Sequence, residues 1–353
     1  MFITQLKAWN LRNLESAQVE PHPGLNYLWG ANGAGKTTLL ESIALLSRGR
    51  SFRTQQSSEL TGPLEPSFRV FACIRNESGT EHRIGLERDG PRWKARVDGQ
   101  DITQLSQLSR LIPVVVMVPD SHLLVSGPPD YRRRFMDWGL FHVKQGFLDT
   151  WKRFSKALKQ RNSALKRGND ETLDSLDAVL ADYGTRLDQE RRAYSDRVSA
   201  LLPGLLDDLK TRVRKVEIRY HEGWSGPSLL EALAVRRDSD RDRGATGVGP
   251  HRADLGLVCD GVPARVVLSR GEQKAFAAAL LLAQTRLLLE DGVKPLLLLD
   301  DLVSEFDAEH FEIVLDKFLE TGCQAWLTGT EQPELKSPHA LFHVEQGKVN
   351  KMV

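Results

Sequence analysis

Cysteine is scarce in this chain: Cys73, Cys259 and Cys323 are the only three in 353 residues, and they stand far apart. None falls in a C-x-x-C pair or a Cys/His spacing, which excludes a disulfide framework and a cysteine zinc site and suits a reducing compartment. Long apolar runs are lacking too. No stretch approaches the ~20 residues of a membrane-spanning helix, and the opening MFITQLKAW has no uninterrupted apolar core of the kind a secretory leader needs. The expectation is a cytoplasmic protein that is not embedded in a membrane. An excess of one charge sign is also missing, since 48 Lys and Arg against 47 Asp and Glu leave a formal net charge of +1. That balance excludes a globally basic nucleic-acid binder, so any phosphate contact has to come from a local patch. What is present is ordinary for a globular protein, 41% hydrophobic and 27% charged residues in a chain long enough for two or three domains.

Against this background one octapeptide stands out. Gly30-Ala31-Asn32-Gly33-Ala34-Gly35-Lys36-Thr37 fits the P-loop pattern G-x-x-x-x-G-K-[ST] at every fixed position. Chance supplies such a match in about one chain in a hundred of this length at ordinary residue frequencies. Context lowers that figure: residues 24–29 read as a short apolar strand, and 38–46 carry helical apolar spacing. Glycines let the loop turn its N–H groups toward phosphate oxygens without Cβ clashes, and the new helix adds the positive end of its dipole. Residues 30–37 and Thr38 are therefore expected to cradle a nucleoside triphosphate, ATP with Mg²⁺. Lys36 would reach its β- and γ-phosphates, and the Thr37 hydroxyl would ligate the metal. The bland alternative is a glycine-rich surface turn with no ligand.

Two further elements lie far downstream. Residues 294–301, KPLLLLDD, are four leucines ending in two carboxylates, which suits a buried parallel strand with acids at its carboxyl end, the edge where α/β sheets bind ligands. Asp300 would complete the metal site with Thr37, and Asp301 would orient or deprotonate an attacking water. Residues 268–274, LSRGEQK, precede an Ala/Leu-rich helix from 275 to about 289. Ser269 and Gly271 at its start offer an anion site; equally, Ser269 is a helix cap with Glu272 completing a capping box.

The order P-loop, LSRGE, LLLLDD resembles the ATPase heads of the ABC and SMC superfamily, whose LSGGQ signature appears here as LSRGE. More closely, the chain resembles the RecF family of bacterial recombination mediators. The resemblance is carried by NLRNL at 10–14, GANGAGKT at 30–37, PDSHLLVSGPPDYRRRFMD at 119–137, GPHRADL at 249–255, LSRGEQK at 268–274 and LLLLDDLVSEFD at 296–307. It implies an α/β P-loop head with a mixed sheet and flanking helices, interrupted by an inserted α-helical hairpin arm. It also implies an ATP-dependent homodimer in which Ser269 and Gly271 reach the γ-phosphate held by the other copy, with residues 304–307 lining the seam. Implied partners are double-stranded DNA and single-strand/double-strand junctions, bound without sequence preference, with RecR and RecO acting to load RecA in repair and replication restart.

Three departures from the superfamily pattern accompany that resemblance. No glutamine loop is apparent, Pro119-Asp120 standing roughly where it would fall; no switch histidine follows residues 324–330; and Asp301 replaces the usual Glu, setting its carboxylate one methylene back. Each points to slow hydrolysis, and the resemblance implies a weak, DNA-stimulated ATPase. In the GPHRADL segment Ala253 stands where the family has an acid, leaving Asp254 as the one carboxylate there.

The head is expected from 1–124 and 246–353, with a mainly helical arm over 125–245. Phe147, Trp151, Phe154, Leu158 and Leu165 fall on one helix face, and a turn is expected at 168–170. Leu173, Leu180, Leu187, Tyr194 and Leu201 then recur at intervals of seven, with Leu176, Tyr183, Val198 and Leu205 beside them. This predicts an antiparallel hairpin, bent or ended by Pro203-Gly204. Residues 216–220 alternate like a strand, and 236–243 form an exposed mixed-charge segment. Candidate phosphate contacts are Arg132, Arg133 and Arg134; Lys152, Arg153, Lys156, Lys159 and Arg161; and Arg48, Arg50 and Arg53. Two other functions stay open on the residues alone: the ATPase subunit of a membrane permease, which needs the missing glutamine loop and switch histidine, and a P-loop small-molecule kinase, which has no use for a trans-acting signature.

Overall fold

The structure, a computed structural model, describes residues 1–54, 56–168, 170–213, 215–332 and 339–352. The chain divides into two compact units, one of Met1–Ser121 with Leu288–Val353 and one of His122–Leu287. The first is built on two six-stranded sheets. One sheet is antiparallel, in the order Leu14–Val19, Phe2–Leu11, Ser67–Arg75, Glu81–Asp89, Arg92–Val97 and Gln100–Asp101. The other is mixed, in the order Lys348–Lys351, His339–Glu345, Leu25–Trp29, Ala325–Gly329, Leu296–Leu299 and Val114–Met117; only its first pair is antiparallel.

The helix Lys36–Arg48 supplies Leu39, Leu40, Ile43 and Leu46 to a continuous core that also takes Ile3, Leu6, Phe68 and Val70 from the antiparallel sheet and Leu296, Leu298 and Trp326 from the mixed one. The four-leucine run 296–299 is buried at every position, as expected of a parallel strand covered on both faces. Gly49 ends the P-loop helix in the left-handed region (φ 63°) and donates its N–H to Leu45 O.

The second unit holds the helical arm. Helices Phe147–Arg167 and Leu173–Asp208 form the predicted hairpin; of the expected turn at 168–170, Asn169 lies outside the described residues. Leu173, Leu180, Leu187, Tyr194, Val198 and Leu205 are buried along the longer helix. That helix does not end at Pro203 but runs to Asp208, because Leu202, Leu205 and Leu206 are all buried and hold its last turns. Trp151, expected on the apolar face of the first helix, is instead exposed.

Residues 229–243 form a third helix, so the expected exposed charged segment 236–243 is helical, and its Asp240 is buried. A three-stranded antiparallel sheet of Val262–Pro263, Asp254–Cys259 and Val216–His221 completes the unit. This pairing draws 254–263 to the arm's own strand. Residues 246–287, assigned to the head from sequence, accordingly cluster with the arm. The division falls inside the helix Arg270–Glu290.

Ion pairs, rather than apolar contacts alone, set the arm's register. Arg161 is fully buried: its Nε donates to Asp177 Oδ1 (2.5 Å) and its Nη1 to Asp240 Oδ2 (2.7 Å) and Thr246 Oγ1 (2.9 Å). Three helices and the loop at 246 are thereby tied to one guanidinium. Replacing it by an apolar side chain leaves two buried carboxylates with too few donors, a change that costs about 3–5 kcal/mol. Arg161→Met should therefore lower the free energy of unfolding in urea by an amount in that range. A loss under about 1 kcal/mol in equilibrium unfolding would show that the cluster does not carry the arm.

Candidate nucleotide site

Strand register places the site. Trp29 lies opposite Gly329, and Leu299 lies opposite both Leu327 and Met117, so the residues that follow these positions emerge at one edge of the sheet. There a cleft of about 390 Å³ is lined by Asn32–Thr38, Pro119, Asp300, Asp301 and Thr328, with Arg12, Asn13 and Arg53 at its margin. Of the predicted set 30–38, seven residues from Asn32 to Thr38 line it, while Gly30 and Ala31 bear on it through their carbonyls. Pro119, guessed at the glutamine-loop position, is also on the wall. Ser269 and Gly271 belong to the other compact unit and are not among the lining residues.

The loop's glycines are needed for different reasons. Gly30 (φ 149°) leaves no room for a side chain, because a Cβ would strike the carbonyl oxygen of Val344. Gly35 (φ 114°) is the helix N-cap and offers no side chain of its own, leaving the first N–H groups of the helix to a ligand. The Lys36 ammonium is buried and donates to Gly30 O (2.6 Å) and Ala31 O (2.9 Å); burial lowers its pKa, only partly opposed by Asp301 and Asp300. It is a cation held at the loop's mouth by two neutral carbonyls, free to exchange them for phosphate oxygens.

Asp300 is nearly buried, and its Oδ1 accepts from both Thr37 Oγ1 (2.8 Å) and Thr328 Oγ1 (2.8 Å). Burial raises its pKa above the usual 3.8, outweighing the two hydroxyl donors that pull it down. Asp301 adopts a left-handed conformation (φ 54°) and donates its N–H to Thr328 Oγ1 (2.8 Å). Small polar residues therefore stand at the end of Ala325–Gly329 because Thr328 bridges the two acids. Gly329 follows because a Cβ there would collide with the hydroxyl of Tyr27.

Sequence reasoning missed the strap over the loop. Asn13 Nδ2 donates to Gly33 O (2.7 Å), its Oδ1 accepts from Thr38 Oγ1 (3.0 Å), and Gly347 N–H donates to Ala34 O (2.9 Å). Arg12 beside it forms a two-pronged pair with the buried Glu41 of the P-loop helix (2.6 and 2.9 Å), which raises its pKa. NLRNL was noticed only as a matching segment; an Asn and an Arg at a strand's hairpin turn were the available signal.

The signature segment forms a reciprocal capping box. Ser269 N–H and Oγ both donate to Glu272 Oε2 (2.9 and 2.7 Å), and Glu272 N–H points back to Ser269 Oγ (3.4 Å). Several arginines proposed for phosphate contact are turned inward instead. Arg132 is buried, with Nε and Nη2 on Asp254 (2.8 and 3.0 Å) and Nη1 on Gly127 O (2.8 Å). Arg161 is consumed by the cluster above, and Arg48 donates to Val114 O (2.8 Å). Arg133 pairs with Asp130 and Ala253 O, whereas Arg134, Arg50, Arg53, Lys152, Arg153, Lys156 and Lys159 are exposed. The two motif segments 119–137 and 249–255 thus meet structurally: Arg132 on Asp254, and Asp137 with Pro250 O on Arg191.

A glycine loop opening a helix, with an acid-ended buried strand hydrogen-bonded to the loop's threonine, defines a P-loop ATPase head of the ABC and SMC type. The family model described as RecF/RecN/SMC N terminal domain matches residues 2–351. The chain is 40% identical over 360 residues to the DNA replication and repair protein RecF of Stenotrophomonas maltophilia (strain R551-3), covering 99% of each, and 40% identical over 358 residues to that of Thioalkalivibrio sulfidiphilus (strain HL-EbGR7), covering 98% of each. It belongs to the RecF family of DNA replication and repair proteins. Among solved structures it is similar to the recombination mediator RecF with ATP in the RecFOR pathway, with a TM-score of 0.91 at 28% identity over 100% of this chain and 98% of that one. An SMC head bound to the C-terminal winged-helix domain of ScpA shares the fold, with a TM-score of 0.61 at 15% identity. Among the described residues no helix is long and apolar enough to cross a membrane.

Ionised Asp300 is a cost to the fold that the neutral amide avoids, since Asn keeps an Oδ1 for both threonines. Because a raised carboxyl pKa makes stability fall as pH rises through it, Asp300→Asn should unfold at higher urea than the parent at pH 7.5. The advantage should fade as pH drops toward 3.8 and the parent's carboxyl is protonated. An Asn variant that is less stable at pH 7.5 would mean that the hydroxyl bonds outweigh burial.

Proposed function

We propose that this chain binds ATP with Mg²⁺ in the glycine-loop cleft and uses it to close two copies into a clamp on DNA. The observation that carries the reading is the bond from Thr37 Oγ1 to Asp300 Oδ1 on the cleft wall. Two hard oxygen donors 2.8 Å apart match the edge of a magnesium octahedron, about 2.9 Å for metal–oxygen distances of ~2.0–2.1 Å. A magnesium ion held by Thr37 and Asp300 would supply charge neutralisation at the β- and γ-phosphates. Charge at that point also answers the burial of Asp300.

The other roles follow from position. N–H groups of the loop and the helix start face the phosphates, Lys36 exchanges its carbonyl partners for β- and γ-oxygens, and the Asn13 strap keeps the loop open. Asp301 orients a water for attack at the γ-phosphorus and takes its proton as the bond to the bridging oxygen breaks. Its short side chain favours slow turnover, so ATP serves mainly to hold a conformation, with DNA accelerating its loss. Ser269 and Gly271 act in trans: the serine hydroxyl and the helix N-terminus meet the γ-phosphate in the other copy, with residues 304–307 along the seam.

The relative with ATP is described as a recombination mediator of the RecFOR pathway. Membership of the RecF family supports a role with RecR and RecO in helping RecA load onto gapped DNA, acting in the cytoplasm at the nucleoid. DNA, double-stranded or at a single-strand junction, is held through phosphates without sequence reading. The RecF relatives support this reading over a permease subunit or a small-molecule kinase.

Lys36→Met should lose ATP binding or turnover. Ser269→Arg should abolish ATP-driven dimerisation in analytical ultracentrifugation while leaving the monomer's nucleotide affinity within about twofold. Equal loss of both would place Ser269 in its own chain's site and remove the clamp. DNA affinity should fall steeply with salt, with a log–log slope near −0.9 per duplex phosphate contact, and a flat response would exclude phosphate-led binding.

A further inference from the structure

The first arm helix, Phe147–Arg167, carries a feature that the nucleotide site does not use. From Thr150 to Gly168 there is no Asp or Glu, while Lys or Arg occupies 152, 153, 156, 159, 161, 166 and 167. Arg161 points into the arm, and Phe154, Ala157, Ala164 and Leu165 form the buried face around it. The opposite face holds a shallow groove of about 450 Å³, lined by Trp151, Lys152, Ser155, Lys156, Lys159 and Ser163 among others. Of the chain's seven tryptophans only Trp151 is exposed, at 40% of its surface. Trp29 and Trp138 each lie against a histidine ring, whereas no ring packs on Trp151 among the described residues. Lys156 and Lys159 have no carboxylate partner among the described residues, so these two lysines bring uncompensated positive charge beside an exposed indole.

Geometry narrows the occupant. At 1.5 Å rise per residue, Lys152, Lys156 and Lys159 spread over about 10 Å along the helix, and Trp151 sits at one end of the row. Duplex DNA would use only the lysines, because its bases are stacked inside and offer no face to an indole. An unpaired strand offers both, a phosphate row for the lysines and a base for the ring. A protein partner of acidic character would pair with the lysines, but it supplies no reason for a flat ring left bare beside them.

We propose that this helix face is a platform for single-stranded nucleic acid, one base stacking on Trp151 and the adjoining phosphates lying on Lys152, Lys156 and Lys159. The inference rests on the DNA-binding reading above and adds to it: the arm holds the unpaired side of a single-strand/double-strand junction. Neutral Ser155 and Ser163 keep the groove floor free of repelling charge and offer hydroxyl donors.

The test is fluorescence anisotropy with the full-length protein, ATP and Mg²⁺, comparing a blunt duplex, the same duplex with a thymidine overhang, and the free oligothymidine. Loss of one base–aromatic stack corresponds to roughly 5- to 150-fold. Trp151→Ala should weaken overhang and oligothymidine binding by that factor and blunt-duplex binding by less than twofold. Trp151→Phe should restore most of the loss. Lys156→Ala with Lys159→Ala should make the salt slope for oligothymidine shallower by about 1.4, two single-strand phosphate contacts at ~0.7 each. Unchanged urea midpoints would confirm that the variants are folded, as expected for exposed side chains. Equal losses on blunt and overhang substrates, or no loss on either, would overturn the platform while leaving duplex binding intact, the second result assigning the face to a protein partner. Failure of the parent protein to bind any of the three would sink the DNA-binding reading itself.

Discussion

The bond between Asp300 and Thr37 joins residues 263 positions apart, and the nucleotide cleft depends on it. It exists because parallel pairing puts the ends of four strands in step, so that a loop after one strand meets an acid after another. Thr328 on the strand between them accepts from Asp301 N–H and donates to Asp300 Oδ1, which fixes the Asp300 carboxylate and the Asp301 backbone with one hydroxyl. The price is an acid whose burial raises its pKa in the folded protein, the condition under which a divalent cation or phosphate-bound metal is most welcome. On the proposed reading, metal binding and a local deficit of stability reside in the same carboxylate.

The loop is held both by its own lysine and from outside. Its carbonyls at Gly30 and Ala31 take the Lys36 ammonium, that at Gly33 takes Asn13, and that at Ala34 takes the N–H of Gly347. Ala34 N–H closes the loop on Ala31 O (3.2 Å). Three separate stretches of chain, the first hairpin, the helix and the last hairpin, therefore cooperate to hold one loop. A P-loop transplanted without Asn13 and Gly347 would retain the motif and lose two of its three supports.

What could be read from the sequence, and what could not, divides along the range of the interaction. The glycine loop, the four-leucine strand and the capping box of Ser269 and Glu272 are local patterns with local causes, and they were legible. So was the hairpin, because a seven-residue apolar spacing needs only one partner helix. The fate of individual arginines was not. Arg132, Arg133 and Arg134 look alike as a run, yet the first is buried on Asp254, the second pairs with Asp130 and a carbonyl, and the third is exposed. Periodicity places a residue on a face; whether Arg132 turns in is decided by a carboxylate 122 positions away. Trp151 is exposed for the mirror reason, since its spacing matches the apolar stripe but no element among the described residues covers it.

The buried arginines explain how a thin arm can keep one shape. Apolar contacts between helices tolerate sliding, because one leucine is much like the next, whereas a guanidinium satisfied by Asp177, Asp240 and Thr246 has its full set of partners in a single register. Arg191 repeats the device, with Asp137 on two prongs and the Pro250 carbonyl on a third. Such clusters add little net stability over an apolar core of the same volume, so their contribution is directional rather than energetic. Together they fix the rotation of both hairpin helices, and with it which face the first helix turns outward. The row of Lys152, Lys156 and Lys159 beside Trp151 is therefore a consequence of Arg161 pointing the other way: on one helix, the buried cation chooses where the exposed ones stand.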